Sequence, residues 1–203
     1  MSNHDEEEPR VEVKETSSTT EDTDLAEAQK IKEQGNTLFK DKEYQLAIEC
    51  YERALTKFPV DSKEQLAMCY ANIGACYFQL EQYQESVDSS TKAIELNPRY
   101  IKARLRRSNA NEKLDTWASL EACMADLNYI VTDDDTEQSL KNTVAKRMEL
   151  LSPRVQEHKE KETGEMLNKF KDLGNGLLKN FGMSLDNFKF EKNEEGGYSV
   201  KMK

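Results

Sequence analysis

The sequence contains an internal repeat, and this repeat constrains the fold more than any other feature. Residues 31–59 (IKEQGNTLFKDKEYQLAIECYERALTKFP) and 70–98 (YANIGACYFQLEQYQESVDSSTKAIELNP) align when Gly35 is placed on Gly74, an offset of 39 residues. The same offset aligns the prolines that end the two segments. Each unit has two amphipathic stretches with helical spacing, joined by a short polar turn. The repeat predicts stacked helix–turn–helix units, which bury apolar surface by packing on one another.

A third, less regular unit follows directly at residues 101–131, IKARLRRSNANEKLDTWASLEACMADLNYIV. Ser108 takes the place of the two glycines, and either Leu120 or Ala122 takes the small-residue position of the second helix. The sequence TDDD replaces the closing proline. Repeat arrays of this kind need about three units and a polar cap to be stable, so we interpret this segment as the third unit.

The chain after the third unit is predicted to cap the array. Residues 136–151 have helical spacing, and Ser152 with Pro153 resembles the start of a second helix that runs to about Leu173. The stretch FKFEKNEEGGYSVKMK alternates apolar and polar residues around a Gly-Gly turn and predicts a short β-hairpin. A nearby apolar set is interpreted as core between hairpin and cap, with a partner-docking patch or membrane contact as alternatives. Its members are Leu173, Leu177, Leu178, Phe181 and Met183.

The acidity of the chain is concentrated in its first 24 residues. The formal net charge is −10, and residues 1–24 account for −7 of it, with nine acidic and two basic side chains. This segment has almost no large apolar residues, so it cannot bury enough surface to fold. We therefore predict a disordered acidic arm followed by a nearly neutral folded region.

Composition also excludes several functional classes. The four cysteines, Cys50, Cys69, Cys76 and Cys123, occur singly within helical patterns, which predicts reduced thiols rather than a disulfide framework or a metal site. No run of 18 apolar residues and no signal-peptide pattern is present, so we expect a cytoplasmic protein without membrane contact. No nucleophile–base set, phosphate loop or metal-ligand cluster is found. We predict no enzyme activity, no catalytic residue, no cofactor and no metal.

The repeat resembles the tetratricopeptide repeat, a helix–turn–helix unit of 34 residues. Counted from Ala28 as position 1, the positions that define the family are occupied by Gly35 (8), Ala47 (20), Tyr51 (24), Ala54 (27) and Pro59 (32). The resemblance implies an all-α superhelix of three repeats with C-terminal capping helices and a short C-terminal β-hairpin. It also implies that Gly35 is a packing residue, whose small size offsets its cost of about 1 kcal/mol in a helix. The predicted segments are an arm (1–24), three repeats within 25–134 (about 28–61, 67–100 and 101–134), capping helices (135–178) and a C-terminal segment (179–203).

Five polar side chains on the first helices of the three units are candidates for binding. Residues four apart share a helix face, and first helices of such repeats line one concave groove. The five positions match the carboxylate clamp of tetratricopeptide co-chaperones: Lys32, Asn36, Asn72, Lys102 and Arg106. The resemblance implies binding of the C-terminal Glu-Glu-Val-Asp of cytosolic heat-shock chaperones of the 90- and 70-kDa classes. A merely basic groove is the alternative, and nucleic acid is not expected as a partner because no aromatic residues interleave the cations.

The C-terminal region, with KDLGN and FGMSLDNF, is similar to that of the tetratricopeptide repeat protein one family of small cytosolic adaptors. This resemblance implies a monomeric co-chaperone that links a heat-shock chaperone to a client protein. The alternative is an interaction scaffold, such as a G-protein adaptor, whose main partner binds the C-terminal region or the acidic arm. KDLGNGLLK also echoes KEQGNTLFK, so a fourth groove-lining helix is a further interpretation.

Overall fold

The computed structural model describes residues 16–179, 184, 188–192 and 198–202. Within them the chain folds into α-helices that pair consecutively, and three pairs form helix–turn–helix units, as the repeat predicts. The helices are α1 (Thr16–Lys40), α2 (Tyr44–Lys57), α3 (Lys63–Gln79), α4 (Tyr83–Leu96), α5 (Ile101–Leu114), α6 (Trp117–Thr132) and α7 (Gln138–Lys179). None of the described helices combines the length and apolar character needed to cross a membrane.

The turn inside each unit contains one residue in the left-handed backbone region. These residues are Lys42, Glu81 and Asp115, with φ values of 65°, 60° and 53°. Asp115 follows Glu81 by 34 residues, so the third unit keeps the register of the second despite its weaker sequence match. Leu120 is fully buried and Ala122 is exposed, which assigns the inward position of α6 to Leu120.

Gly35 allows α1 to pack closely on α2. A Cβ atom at Gly35 would lie 2.8 Å from Cε1 of Tyr51, closer than non-bonded carbon atoms approach. The Tyr51 ring is 1% exposed and is surrounded by core side chains, so it has no free space into which to move. Gly74 has the same function in the second unit, where a Cβ atom would lie 2.7 Å from Oγ of Ser90.

Gly35→Ala is expected to destabilise the protein by about 1–2 kcal/mol, because overpacking against Tyr51 exceeds the gain in helix propensity. Urea denaturation monitored by circular dichroism measures the change. Gly164→Ala is the matched control, since a Cβ atom there would meet nothing within 4 Å and only the favourable propensity change remains. Equal stabilisation by both substitutions would contradict the packing role of Gly35.

The four cysteines are free, and they contribute to the core as packing residues. Cys69, Cys76 and Cys123 are buried and Cys50 is half-buried. Burial raises the pKa of Cys69 to about 11 and the pKa of Cys76 to about 12. Both thiols therefore stay protonated and unreactive at neutral pH.

Two predicted helix boundaries are wrong. First, α1 begins at Thr16, so the C-terminal part of the predicted disordered arm is helical. Residues 1–15 lie outside the described residues. Second, α7 continues through Pro153 instead of ending before it. Proline leaves the carbonyl of Glu149 without its helical partner, and Glu149 is exposed, so water can donate to that carbonyl.

Two compact units make up the chain, one ending at Met148 and the other beginning at Glu149. In the second unit, strands β1 (Phe188–Lys192) and β2 (Tyr198–Met202) pair antiparallel, with Phe190 opposite Val200. The Gly-Gly turn of the predicted hairpin lies outside the described residues, so the hairpin as a whole stays a prediction.

The distal part of α7 exposes a row of large apolar side chains. Met166, Leu167, Phe170, Leu173 and Leu177 are each between 52% and 67% exposed. The interpretation of Leu173 and Leu177 as core residues is therefore wrong. The helical spacing that indicated an inward face is real, but no described element covers that face.

Candidate functional site

The predicted binding residues lie on the first helices of the three units. Lys32 and Asn36 lie on α1, Asn72 lies on α3, and Lys102 and Arg106 lie on α5. Arg106 Nη1 donates to Asn72 Oδ1 at 3.2 Å, and Asn72 Nδ2 donates to Asn36 Oδ1 at 3.2 Å. Three of the five predicted residues thus form one hydrogen-bonded chain across α1, α3 and α5.

These three side chains face a small cavity of about 230 Å³. Its lining combines amide and guanidinium donors with apolar side chains and one further cation, Lys40. The lining residues are Asn36, Phe39, Lys40, Tyr51, Asn72, Ala75 and Arg106. A cavity of this size accommodates the end of a peptide rather than a folded partner.

Lys32 lies deeper than the other predicted residues. Its side chain is 7% exposed, and Nζ donates to Oε1 of Gln65 at 2.7 Å. The ammonium group also lies 5.9 Å from the centroid of the Phe58 ring. A buried cation held by neutral groups lacks a full compensating charge, so an anion that reached Lys32 would bind strongly.

Lys102 lies apart from this cavity. It is exposed and lines a second cavity of about 520 Å³. Apolar side chains of α5 and α7, Ile101, Leu105 and Leu140, form much of its wall. Arg99 and three carboxylates also line it, those of Asp133, Asp135 and Glu137. Arg106 is one helical turn from Lys102, so the two cavities adjoin on α5 without sharing a lining residue.

The neighbouring arginines of α5 are turned towards α6. Arg107 donates to both carboxylate oxygens of Asp126 at 2.7 Å, and Arg104 Nη1 donates to Asp126 Oδ1 at 3.2 Å. The hydrogen bond to Asp126 raises the pKa of Arg107. The Arg104 guanidinium also stacks 3.6 Å from the Tyr129 ring centroid. These arginines are structural, and they add no general basicity to the groove.

The groove therefore collects uncompensated positive charge. Among the described residues, no carboxylate pairs with Lys32, Lys40, Lys102 or Arg106, whereas Arg104, Arg107 and Arg147 all have acidic partners. Burial lowers the pKa of Arg106, but a guanidinium keeps its proton under all physiological conditions. Within the described part of the chain no group of three potential metal ligands occurs. The arrangement suits an anionic ligand, above all a carboxylate.

Sequence reasoning missed three residues of the site. Lys40 follows Asn36 by one helical turn, so its position on the same face was a usable signal. Tyr51 donates its hydroxyl to Asn36 Oδ1 at 2.8 Å, although its repeat position indicates only packing. Gln65, the partner of Lys32, lies between the two aligned repeat segments 31–59 and 70–98, and no pattern pointed to it.

Comparison with known proteins finds similar helical repeats. The tetratricopeptide repeat family matches residues 24–99. Mitochondrial import receptor subunit TOM70 of Rattus norvegicus is 39% identical over 106 residues, which is 52% of this chain and 17% of that relative. The chain therefore matches less than a fifth of that relative's length, and the similarity concerns the repeat region alone.

Two solved tetratricopeptide domains are similar in structure. The first is the first such domain of Spaghetti (RPAP3) bound to the HSP90 peptide SRMEEVD, with a TM-score of 0.51 and 26% identity; the match covers 62% of this chain and 95% of that chain. The second is the second such domain of human RPAP3 in complex with the HSP70 peptide SGPTIEEVD. Its TM-score is 0.52 with 26% identity, covering 62% of this chain and 98% of that chain.

Proposed function

We propose that this chain is a non-enzymatic adaptor of the co-chaperone type. Its groove binds the C-terminal Glu-Glu-Val-Asp of cytosolic heat-shock chaperones of the 90- and 70-kDa classes, and the chain links them to a client. One observation carries the proposal: Lys40 and Arg106, neither of which has an acidic partner among the described residues, line one small cavity together with the amides of Asn36 and Asn72. The peptides bound by the two similar RPAP3 domains both end in EEVD, which supports this ligand. A cytoplasmic location and a monomeric state are parts of the same proposal.

The chemistry of the ligand fits the site. A C-terminal aspartate carries two carboxylates on one residue, and the small cavity offers Asn36, Asn72 and Arg106 to the first of them. Lys102, on the adjoining cavity, is placed for an acidic group further along the peptide. Hydrogen bonds to charged groups contribute roughly 1.5–3 kcal/mol each. Several of them, less the cost of ordering a flexible tail, give an affinity of roughly micromolar.

Calorimetric titration with a free-acid pentapeptide ending in Glu-Glu-Val-Asp tests the proposal, beside the same peptide with an amidated C-terminus. We expect roughly micromolar binding of the free acid and binding about 10- to 100-fold weaker for the amide, because amidation removes one charged acceptor. Lys102→Ala should also weaken binding of the free acid. No binding of either peptide, or equal binding of both, would rule out recognition of the terminal carboxylate.

The exposed apolar row of α7 favours a second candidate function. In this alternative the chain is a scaffold, such as a G-protein adaptor, whose main partner docks on the distal part of α7 while the groove is secondary. Five large apolar side chains on one helical face are an unusual exposure for a solvated helix. A variant lacking both Lys102 and Arg106 separates the functions, since only the chaperone adaptor loses partner recruitment.

A further inference from the structure

The Tyr51 side chain connects the packing of α1 on α2 to the binding groove. Its ring lies against Gly35, and its hydroxyl, at the end of that ring, donates to Asn36 Oδ1 at 2.8 Å. Tyr51 also lines the small cavity, although its side chain is almost completely buried. The hydroxyl is therefore the one part of this core residue that reaches a predicted ligand-binding group.

The orientation of both asparagine amides follows from the partners around them. A guanidinium donates hydrogen bonds and accepts none, so the atom of Asn72 that faces Arg106 must be its oxygen. The Asn72 nitrogen then faces Asn36, which must present its own oxygen in return. That oxygen accepts from Tyr51 as well. Both of its lone pairs are used inside the protein.

The Asn36 amide nitrogen is consequently left for the groove. Among the described residues no acceptor is hydrogen-bonded to Asn36 Nδ2, and the side chain is only half-buried. Arg106, Asn72 and Asn36 thus form a directional series in which each group donates to the next. Such a series is polarised by the positive charge at its start, which strengthens the last donor.

We propose that Tyr51 is a positioning residue, whose hydroxyl holds the Asn36 amide with Nδ2 directed at a ligand carboxylate. A rotated Asn36 would present its oxygen to the ligand and repel the carboxylate, so the hydroxyl, together with the Asn72 amide, holds this residue in the orientation that attracts an anion. This inference rests on the proposed function, because it concerns the same carboxylate site.

The hydroxyl remains a donor at every pH that the protein meets. Burial, which penalises the phenolate, raises the pKa of Tyr51 well above its usual value. The thiols of Cys76 and Cys69 act in the same direction, while the charge of Arg106 and a hydrogen bond with the Asn72 side chain oppose them. The positioning function therefore needs no protonation change and persists through the physiological range.

A double-mutant cycle between Tyr51→Phe and Asn36→Ala tests this role in the full chain. Tyr51→Phe keeps the ring that packs on Gly35, so the melting temperature should change little. Its affinity for the free-acid peptide should fall by about tenfold, the effect of one well-oriented hydrogen bond to a charged group. In the Asn36→Ala background the same change should have almost no further effect. Tyr77→Phe, which removes a hydroxyl from the same core, is the matched control and should leave affinity unchanged.

A second readout does not depend on affinity. The side-chain amide resonances of Asn36 in ¹⁵N-resolved NMR should shift in the peptide-free Tyr51→Phe variant and stay in place in the Tyr77→Phe variant. Unchanged affinity of Tyr51→Phe, or an equal loss with and without Asn36, would overturn the positioning role. If the unmodified chain fails to prefer the free acid over the amide, the proposed function fails instead, so the two failures are distinguishable.

Discussion

Replacing Arg106 by alanine is expected to weaken binding of the free-acid Glu-Glu-Val-Asp peptide by at least about a hundredfold. Arg106 contributes direct donors to the cavity and is the first group of the hydrogen-bonded series through Asn72 to Asn36. Its removal costs two charge-assisted interactions, about 3–5 kcal/mol together. Calorimetry on the variant should show no measurable heat at peptide concentrations that saturate the unmodified chain.

Arg53→Ala is the matched control for this experiment. Arg53 is exposed on α2, the second helix of its unit. Its replacement by alanine removes the same charge from the protein without changing the groove. Its affinity should stay within about twofold of the unmodified chain at physiological ionic strength, since screening limits the effect of distant charges. Equal losses in the two variants would mean that net charge, rather than a structured site, binds the peptide. This outcome would support the merely basic groove.

Asp126→Ala is expected to destabilise the protein by about 3–5 kcal/mol. Asp126 is 1% exposed and accepts hydrogen bonds from Arg104 and Arg107, which are themselves largely buried. Removing the carboxylate leaves two guanidinium groups without a counter-charge between α5 and α6. Equilibrium urea denaturation followed by far-ultraviolet circular dichroism measures the loss as a lower midpoint.

The ion pair between Asp135 and Arg99 provides the comparison. Its side chains are 74% and 68% exposed, and their atoms approach to 2.6 Å. Exposed pairs contribute less than about 1 kcal/mol despite short distances, so Asp135→Ala should have a small effect. Similar losses for Asp126→Ala and Asp135→Ala would show that burial does not decide the strength of these pairs.

The repeat pattern predicted the helical units and the helices on which the five polar residues lie. That success has a simple cause, since helical spacing and the small residues at Gly35 and Gly74 report on packing between adjacent helices. The pattern of the third unit was weaker, yet its register is the same as in the second, because Leu120 fills the inward position with a larger side chain.

The details that decide the chemistry of the site depend on contacts between distant parts of the chain. Arg104 and Arg107 form ion pairs with Asp126 and are therefore held against α6 rather than in the groove. Nothing in the spacing of α5 distinguishes those two arginines from Arg106. Likewise, the hydroxyl of Tyr51 donates to Asn36, which lies 15 residues earlier in the sequence and on a different helix. Local periodicity places a side chain on a face, but the partner that orients it lies on another helix.

The apolar row on α7 shows the converse error. The sequence indicated an apolar set that includes Leu173 and Leu177, and the apolar face exists, but sequence cannot tell whether another element covers it. The same limit applies to Pro153, whose tolerance within α7 depends on the exposure of the carbonyl that it leaves without a partner.

The distribution of the site over α1, α3 and α5 couples ligand binding to the integrity of the array. In a linear stack each unit is stabilised by its neighbours, so a unit near one end has fewer stabilising interfaces than a unit in the middle. Opening of the third unit would withdraw Arg106 and Lys102 and abolish the site while most of the helical structure remained. A tail bound at a hundred times its dissociation constant would in turn stabilise the stacked form by about 2.7 kcal/mol. An adaptor built in this way is most ordered while it holds its partner, and proteases would meet its open form chiefly when the groove is empty.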